Sequence, residues 1–168
     1  SYIGKSRCRD MFLFSCYTGL RFSDITRLQK DNFHLIDGKW WLIFKSLKTG
    51  VTIKLPIYML FDGKPIEIFK KYCKRNFKSS LFGLSTTSNS ATNKQLKQLA
   101  QKVKVYKHIS FHTARHTCAT ILLYNGVQLT TVQKLLGHQS IRTTEVYSDI
   151  MDMTVIRDLQ KIKQKKNK

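Results

Sequence analysis

Acidic side chains are scarce: ten Asp and Glu stand against 30 Lys and Arg in 168 residues, a formal net charge of +20. The ten (Asp10, Asp24, Asp31, Asp37, Asp62, Glu67, Glu145, Asp149, Asp152 and Asp158) form no DxD or ExK pattern and group only near the C-terminal end. Metal-dependent phosphodiester chemistry needs clustered carboxylates around one or two cations, so this scatter argues against it. A phosphate-cradling glycine loop is also missing. The four cysteines, Cys8, Cys16, Cys73 and Cys118, contain no CxxC pair. That spacing argues against a disulfide framework or a Cys-rich zinc site and predicts four reduced, buried thiols. Long hydrophobic runs are absent too. The longest apolar-rich stretch, 11–17, is far short of the roughly 18 residues of a spanning helix. No signal peptide opens the chain. The first residue is not Met and helical patterning starts almost at once, which reads as a piece of a longer polypeptide.

What is present suffices for one domain with a real core: 42% of the residues are hydrophobic and 11% aromatic. A charge of +20 repels itself unless an anion sits nearby. Nucleic acid is the leading partner, because Lys and Arg release counterions from its dense phosphates. A membrane surface ranks second, and no segment supports it.

The hydrophobic spacing predicts a mostly buried helix over 7–17, ended by Thr18-Gly19, and a short helix over 23–29 with Ser23 as cap. Asp31-Asn32 reads as a turn. Strands follow at 33–36, 39–45 and 51–55, joined by the turns Asp37-Gly38 and Thr49-Gly50 and ended by Pro56. Pro65 starts a helix to about 74 that turns Ile66, Phe69 and Cys73 to one side. Leu81-Phe82 reads as a short buried strand, 85–90 as a loop, and 93–103 as a helix. Further helices fit 112–125, closed by Asn125-Gly126, and a stretch capped by Thr130 or Thr131 and closed by Gly137. A helical turn at 143–147 and a helix from about 154 into the lysine tail complete the chain. The expected fold is mainly α with a small three-stranded antiparallel sheet.

Cutting nucleic acid without metal requires a nucleophile, cations to hold the extra negative charge, and an acid for the leaving oxygen. Arginine suits the second task through its planar, permanently charged fork. His112 and Arg115 lie at i, i+3 near a helix start, His138 follows a helix end, and Tyr147 comes nine residues later.

In order along the chain, these residues resemble the catalytic domain of the tyrosine recombinase (phage integrase) family. Thr18-Gly19-Leu20-Arg21-Phe22-Ser23-Asp24-Ile25 resembles its first arginine motif, Lys48-Thr49-Gly50 its β-hairpin lysine, and His112-Thr113-Ala114-Arg115-His116 its HxxR box. Leu136-Gly137-His138 resembles the LGH motif, and Tyr147 in Thr143-Thr144-Glu145-Val146-Tyr147-Ser148 the nucleophile. The match runs from about Met11 to Tyr147. The resemblance implies a tyrosine recombinase catalytic-domain fold over 1–150, with 151–168 as a C-terminal helix and basic tail. It implies a site-specific recombinase that cleaves and rejoins DNA through a 3′-phosphotyrosyl link, with Arg21, Lys48, His112, Arg115, His138 and Tyr147 catalytic. Asp24, standing where glutamate is more usual, would support Arg21 by a hydrogen bond, and His116 would take a structural or phosphate-contacting role. No metal and no cofactor are expected. The partner would be double-stranded DNA, bound by a homotetramer in which the C-terminal segment passes between protomers. The setting would be cytoplasmic, on a bacterial nucleoid, within a mobile element. The family's separate N-terminal core-binding domain is lacking from this chain.

Each position also has a plain structural reading. Arg21 could be a surface arginine after a helix stop, and Lys48 one of 30 basic residues, with Lys45 its competitor in the hairpin. His138 could complement a helix dipole, and Tyr147 could be a core aromatic. His108, His112 and His116 at i, i+4, i+8 could line a zinc site, but Ile109-Ser110 breaks the helix after His108 and no carboxylate or cysteine completes the set. Two other functions compete: a type IB topoisomerase, similar in its catalytic residues, and a DNA-binding module without chemistry.

Overall fold

The computed structural model describes residues 4–75, 77, 80–83, 88–140 and 154–156. Helix α1 (Lys5–Thr18) runs through the middle of the core and buries Cys8, Met11 and Phe14 completely. It stops at Gly19, whose φ of 69° is the left-handed conformation that a side chain resists. Arg21 then sits at the N-cap of a single turn, α2 (Phe22–Ile25). The expected helix over 23–29 is thus shorter, and Ser23 lies inside it rather than capping it. After Ile25 the chain turns away into a 3-10 turn over Lys30–Asn32.

Strands β1 (Phe33–Ile36), β2 (Lys39–Lys45) and β3 (Thr52–Leu55) form an antiparallel sheet in the order β1-β2-β3. Asp37 and Gly38 both have positive φ, the requirement of the two-residue turn that their sequence predicts. The register sets Phe33 opposite Leu42, and Leu42 opposite Leu55, so one face is apolar and buried, with Phe33 meeting Phe14 of α1. Phe33 stacks on Phe69 at 3.9 Å between ring centroids, and Phe14 meets Phe82 edge-on at 5.8 Å.

Helix α3 (Lys64–Cys73) buries Phe69 and Tyr72, leaving Ile66 and Cys73 at the margin of the core. Its inward face is therefore turned from the expected one, and Cys73 and Cys16 are only partly buried, unlike Cys8 and Cys118. Burial pushes the Cys8 thiol up to about 11 and Cys16 and Cys118 to about 12, which keeps them protonated and inert. Leu81 and Phe82 are buried but form a turn, not a strand, tied by the Leu81 N–H to the Leu28 carbonyl at 2.5 Å. A buried apolar pair needs a place in the core, and one backbone hydrogen bond fills it without a ladder.

Helix α4 (Asn89–Lys102) begins four residues before the expected start, because the Ser88 hydroxyl caps it by accepting from the Ala91 N–H at 3.1 Å. Ser110 caps α5 (Phe111–Tyr124) in the same way, accepting from Thr113. Helix α6 (Leu129–Leu136) starts after Gln128, so Thr130 and Thr131 lie in its first turn instead of capping it. Residues 154–156 are helical, as expected. The expected turn at 143–147, residues 85–87 of the expected loop and the remaining tail lie outside the described residues, and 89–90 are helical. Among the described residues no helix is long and apolar enough to cross a membrane.

One polar cluster joins α1 to α3. The Asp10 carboxylate, 4% exposed, accepts from Tyr72 Oη at 2.9 Å, Lys71 Nζ at 2.5 Å and Arg9. Burial alone would raise its pKa, but the bonds from Lys71, Arg9 and Tyr72 outweigh that and hold the carboxyl below its ordinary value. We expect D10N to lower the unfolding free energy by about 1.5–3 kcal/mol at neutral pH, read as a lower urea midpoint with unchanged m-value. Because the native pKa is depressed, the wild-type advantage holds above the unfolded carboxylate pKa of about 3.9 and closes as the pH falls further.

Candidate active site

Five separate segments open onto one cleft of ≈ 420 Å³ lined by Arg21, Phe22, Ser23, Lys48, Asn89 at the start of α4, Phe111, His112, Arg115 and His138. Arg21 and its neighbours come from the N-terminus of α2, Lys48 from the β2–β3 turn, Phe111, His112 and Arg115 from the start of α5, and His138 from just past α6. Five of the six residues expected to be catalytic therefore face one space. Tyr147 lies outside the described residues. Lys45, the rival of Lys48, lines a different hollow beside Asp24 and Arg27. A larger hollow of ≈ 500 Å³ between Lys5 and the side of α4 is walled by Gln95, Gln98, Leu99, Gln101 and Lys102. No arginine or histidine lines it, so its size does not make it the site.

Arg115 is the structural pivot of the cleft. It is only 6% exposed, and its two terminal nitrogens donate to the Gly19 carbonyl and the Leu136 carbonyl, each at 2.6 Å. Both acceptors belong to helix C-termini, which leave carbonyls without intrahelical partners. One guanidinium thereby answers α1 and α6 at once and joins them to α5. The fit leaves no room at Gly19, where a Cβ would stand 2.3 Å from Leu136 Cδ2.

Asp24 does something other than the expected support of Arg21. Its buried carboxylate accepts from the Leu47 N–H at 2.9 Å and from the Ser46 hydroxyl at 3.3 Å, and among the described residues it makes no bond to Arg21. The acid therefore fixes the turn that presents Lys48. From the other side, Gln139 Nε2 donates to the Thr49 carbonyl at 3.1 Å. Arg21 Nη1 is buried with no hydrogen-bond partner among the described residues, a donor that calls for an acceptor from outside.

The electrostatics are one-sided, since among the described residues no carboxylate lines the cleft. Burial, followed by the nearby Arg115, Arg21 and His116, lowers the His138 pKa to about 4. His116 is lowered by burial and then by His112 and Arg115. His116 lies one turn beyond His112, their Nε2 atoms 2.6 Å apart. His108 precedes α5 and does not join them. Among the described residues no three His, Cys, Asp or Glu side chains group as metal ligands.

Asn89 and Asn93 were not legible as site residues. Asn93 accepts from the Phe111 N–H at 3.1 Å and donates to Asn89 at 3.2 Å, docking the α5 N-terminus on α4. An asparagine pair at i, i+4 after a serine cap is the only sequence trace of this.

Residues 3–153 match the phage integrase family, and the chain belongs to that family. The chain is 32% identical over 155 residues to tyrosine recombinase XerD of Listeria innocua and 30% over 149 residues to that of Staphylococcus saprophyticus, each alignment taking 86% of this chain and 50% of the relative. It thus spans about half the length of these curated relatives. The fold is shared with XerH site-specific recombinase bound to palindromic difH substrate, at a TM-score of 0.69 and 20% identity over 95% of this chain and 47% of that one. It is also shared with a lambda integrase dimer bound to a core site, at a TM-score of 0.67 and 21% identity over 84% and 52%.

Two outcomes follow from this geometry. Lysine cannot bridge two carbonyls as the guanidinium does, so R115K is expected to cost about 1.5–3 kcal/mol of stability in urea unfolding for the bond lost. Because His138 has a native pKa near 4 against about 6.5 unfolded, the unfolded state binds the extra proton between those values. Stability must then decline on acidification across that window, and H138Q is expected to flatten the decline in melting temperature.

Proposed function

We propose that this chain is the catalytic part of a site-specific DNA recombinase that breaks and rejoins duplex DNA through a covalent tyrosine link, without metal or cofactor. The observation that carries this reading is the convergence of Arg21, Lys48, His112, Arg115 and His138 on one cleft that, among the described residues, no carboxylate lines. Such a site favours a phosphodiester gaining negative charge and offers nothing to a divalent cation.

In the reaction, the Tyr147 hydroxyl attacks phosphorus, forming the phosphotyrosyl bond as the bond to the 5′-oxygen breaks. His112 accepts the tyrosine proton, needed because a phenol with a pKa of about 10 is neutral at physiological pH. Lys48 delivers a proton to the departing 5′-oxygen. Arg21 and Arg115 hold the non-bridging oxygens, and His138, kept neutral by its surroundings, donates a further hydrogen bond. The buried, unpartnered Arg21 Nη1 suits an oxyanion acceptor. Attack by a 5′-hydroxyl from a second duplex reverses the chemistry and joins new partners. The bond energy is kept in the link, so no nucleotide hydrolysis is needed. Aligning two duplexes calls for four protomers on DNA, with residues 151–168 exchanged between neighbours.

The test is covalent trapping on nicked duplexes with randomised cores, in EDTA, with wild type and Y147F side by side. We expect an SDS-resistant adduct from wild type and none from Y147F, with R21A slowed by about 10²–10³, the cost of one oxyanion donor. An adduct retained by Y147F overturns the nucleophile assignment. Plasmid relaxation without strand exchange points to a topoisomerase instead.

A further inference from the structure

The His112–His116 pair is not explained by a phosphate clamp. The two Nε2 atoms lie 2.6 Å apart, with the rings edge to face at 4.3 Å between centroids. Two such nitrogens can approach this closely only by sharing a proton, one donating N–H and the other accepting on its lone pair. If both Nε2 atoms carried protons the contact would be repulsive, so at least one ring is neutral. A neutral imidazole that accepts at Nε2 must carry its proton on Nδ1.

The surroundings decide which ring accepts. His112 is exposed and lines the cleft, whereas His116 is partly buried one turn further into α5. Around His116 stand Arg115 on the same helix and His138 beyond α6, with Arg21 reaching His138 from α2. A second cation at His116 is disfavoured by burial first and by these neighbours next. When the pair carries one charge it therefore sits on His112, whose Nε2–H donates to a neutral His116, leaving Nδ1 as the ring nitrogen that His112 can use toward the cleft.

We propose that His116 is a positioning residue for His112, holding its imidazole through the Nε2–Nε2 hydrogen bond so that His112 exchanges protons through Nδ1. This rests on the cleavage chemistry proposed above. When His112 takes the tyrosine proton on Nδ1, its Nε2–H becomes a charge-assisted donor to His116, and the bond strengthens as the cation forms. His116 stands to His112 as the third group of a triad stands to its base, orienting it and fixing its tautomer.

Two readouts test the pair. The first needs neither DNA nor cleavage: long-range proton–nitrogen correlation spectra of the full chain, labelled with 15N-histidine, near neutral pH. We expect His116 in the Nδ1–H form and His112 in the Nε2–H form. The reverse arrangement, or Nε2–H on both rings, overturns the proposal while leaving the cleavage reading untouched. The second is the rate of covalent trapping on nicked duplexes recovered from the randomised pool. H116L is expected to slow the covalent step roughly 10-fold or more at unchanged duplex affinity, part of the about 10²–10⁴ that a positioned base supplies, with H116Q restoring most of the rate. The glutamine amide can accept the same hydrogen bond but cannot titrate, so its rescue separates orientation from charge. A wild-type rate in H116L, or an equal loss in H116Q, overturns the role. Wild type that shows the tautomers yet traps no adduct overturns the cleavage chemistry, and His116's part in it with it.

Discussion

Everything in the cleft depends on the place where one guanidinium answers two helix ends. Helices α1 and α6 each finish with carbonyls that have lost their intrahelical donors, and Arg115 of α5 supplies both Gly19 and Leu136. Satisfying them with a single buried cation fixes three helices to one another, and those helices carry Arg21's approach, His112 and His138. The close fit at Gly19, where even a methyl group would collide with Leu136, sets how tightly the ends must meet.

Around that junction the site is assembled from parts that are stabilised separately. The sheet brings the Lys48 turn to the cleft, and Asp24 and Gln139 hold it from two sides. Asn93 holds the start of α5 against α4. Arg115 apart, the cleft's cations add mutual repulsion rather than cohesion. The cost is contained by leaving Lys48 and His112 in solvent and by keeping His138 and His116 uncharged. The fold thus carries a concentration of positive potential that only an anion relieves.

Much of this was legible in the sequence because the signals were local. Asp37-Gly38 between apolar runs dictates a tight hairpin, and Gly19 and Gly137 mark helix ends because both take positive φ. Five residues that line the cleft, Arg21, Lys48, His112, Arg115 and His138, stood out through their order along the chain. What could not be read depends on partners far away in the sequence. Asp24 was expected to serve the arginine three residues before it and instead serves a turn more than twenty residues on. Leu81 and Phe82 carry the composition of a strand, but among the described residues their backbone finds a single partner at Leu28. Thr130 and Thr131 have capping chemistry, yet the helix begins before them, so their hydroxyls do not reach a cap position.

The double duty of Arg115 has an evolutionary consequence. In a descendant that abandoned chemistry and kept only its grip on nucleic acid, the exposed Lys48 and His112 would drift first. Arg115 would persist, because its loss leaves two helix ends without a donor. Retention of that arginine in a related chain is therefore a record of the fold, and the exposed lysine and histidine beside it are the better witnesses to an enzyme still at work.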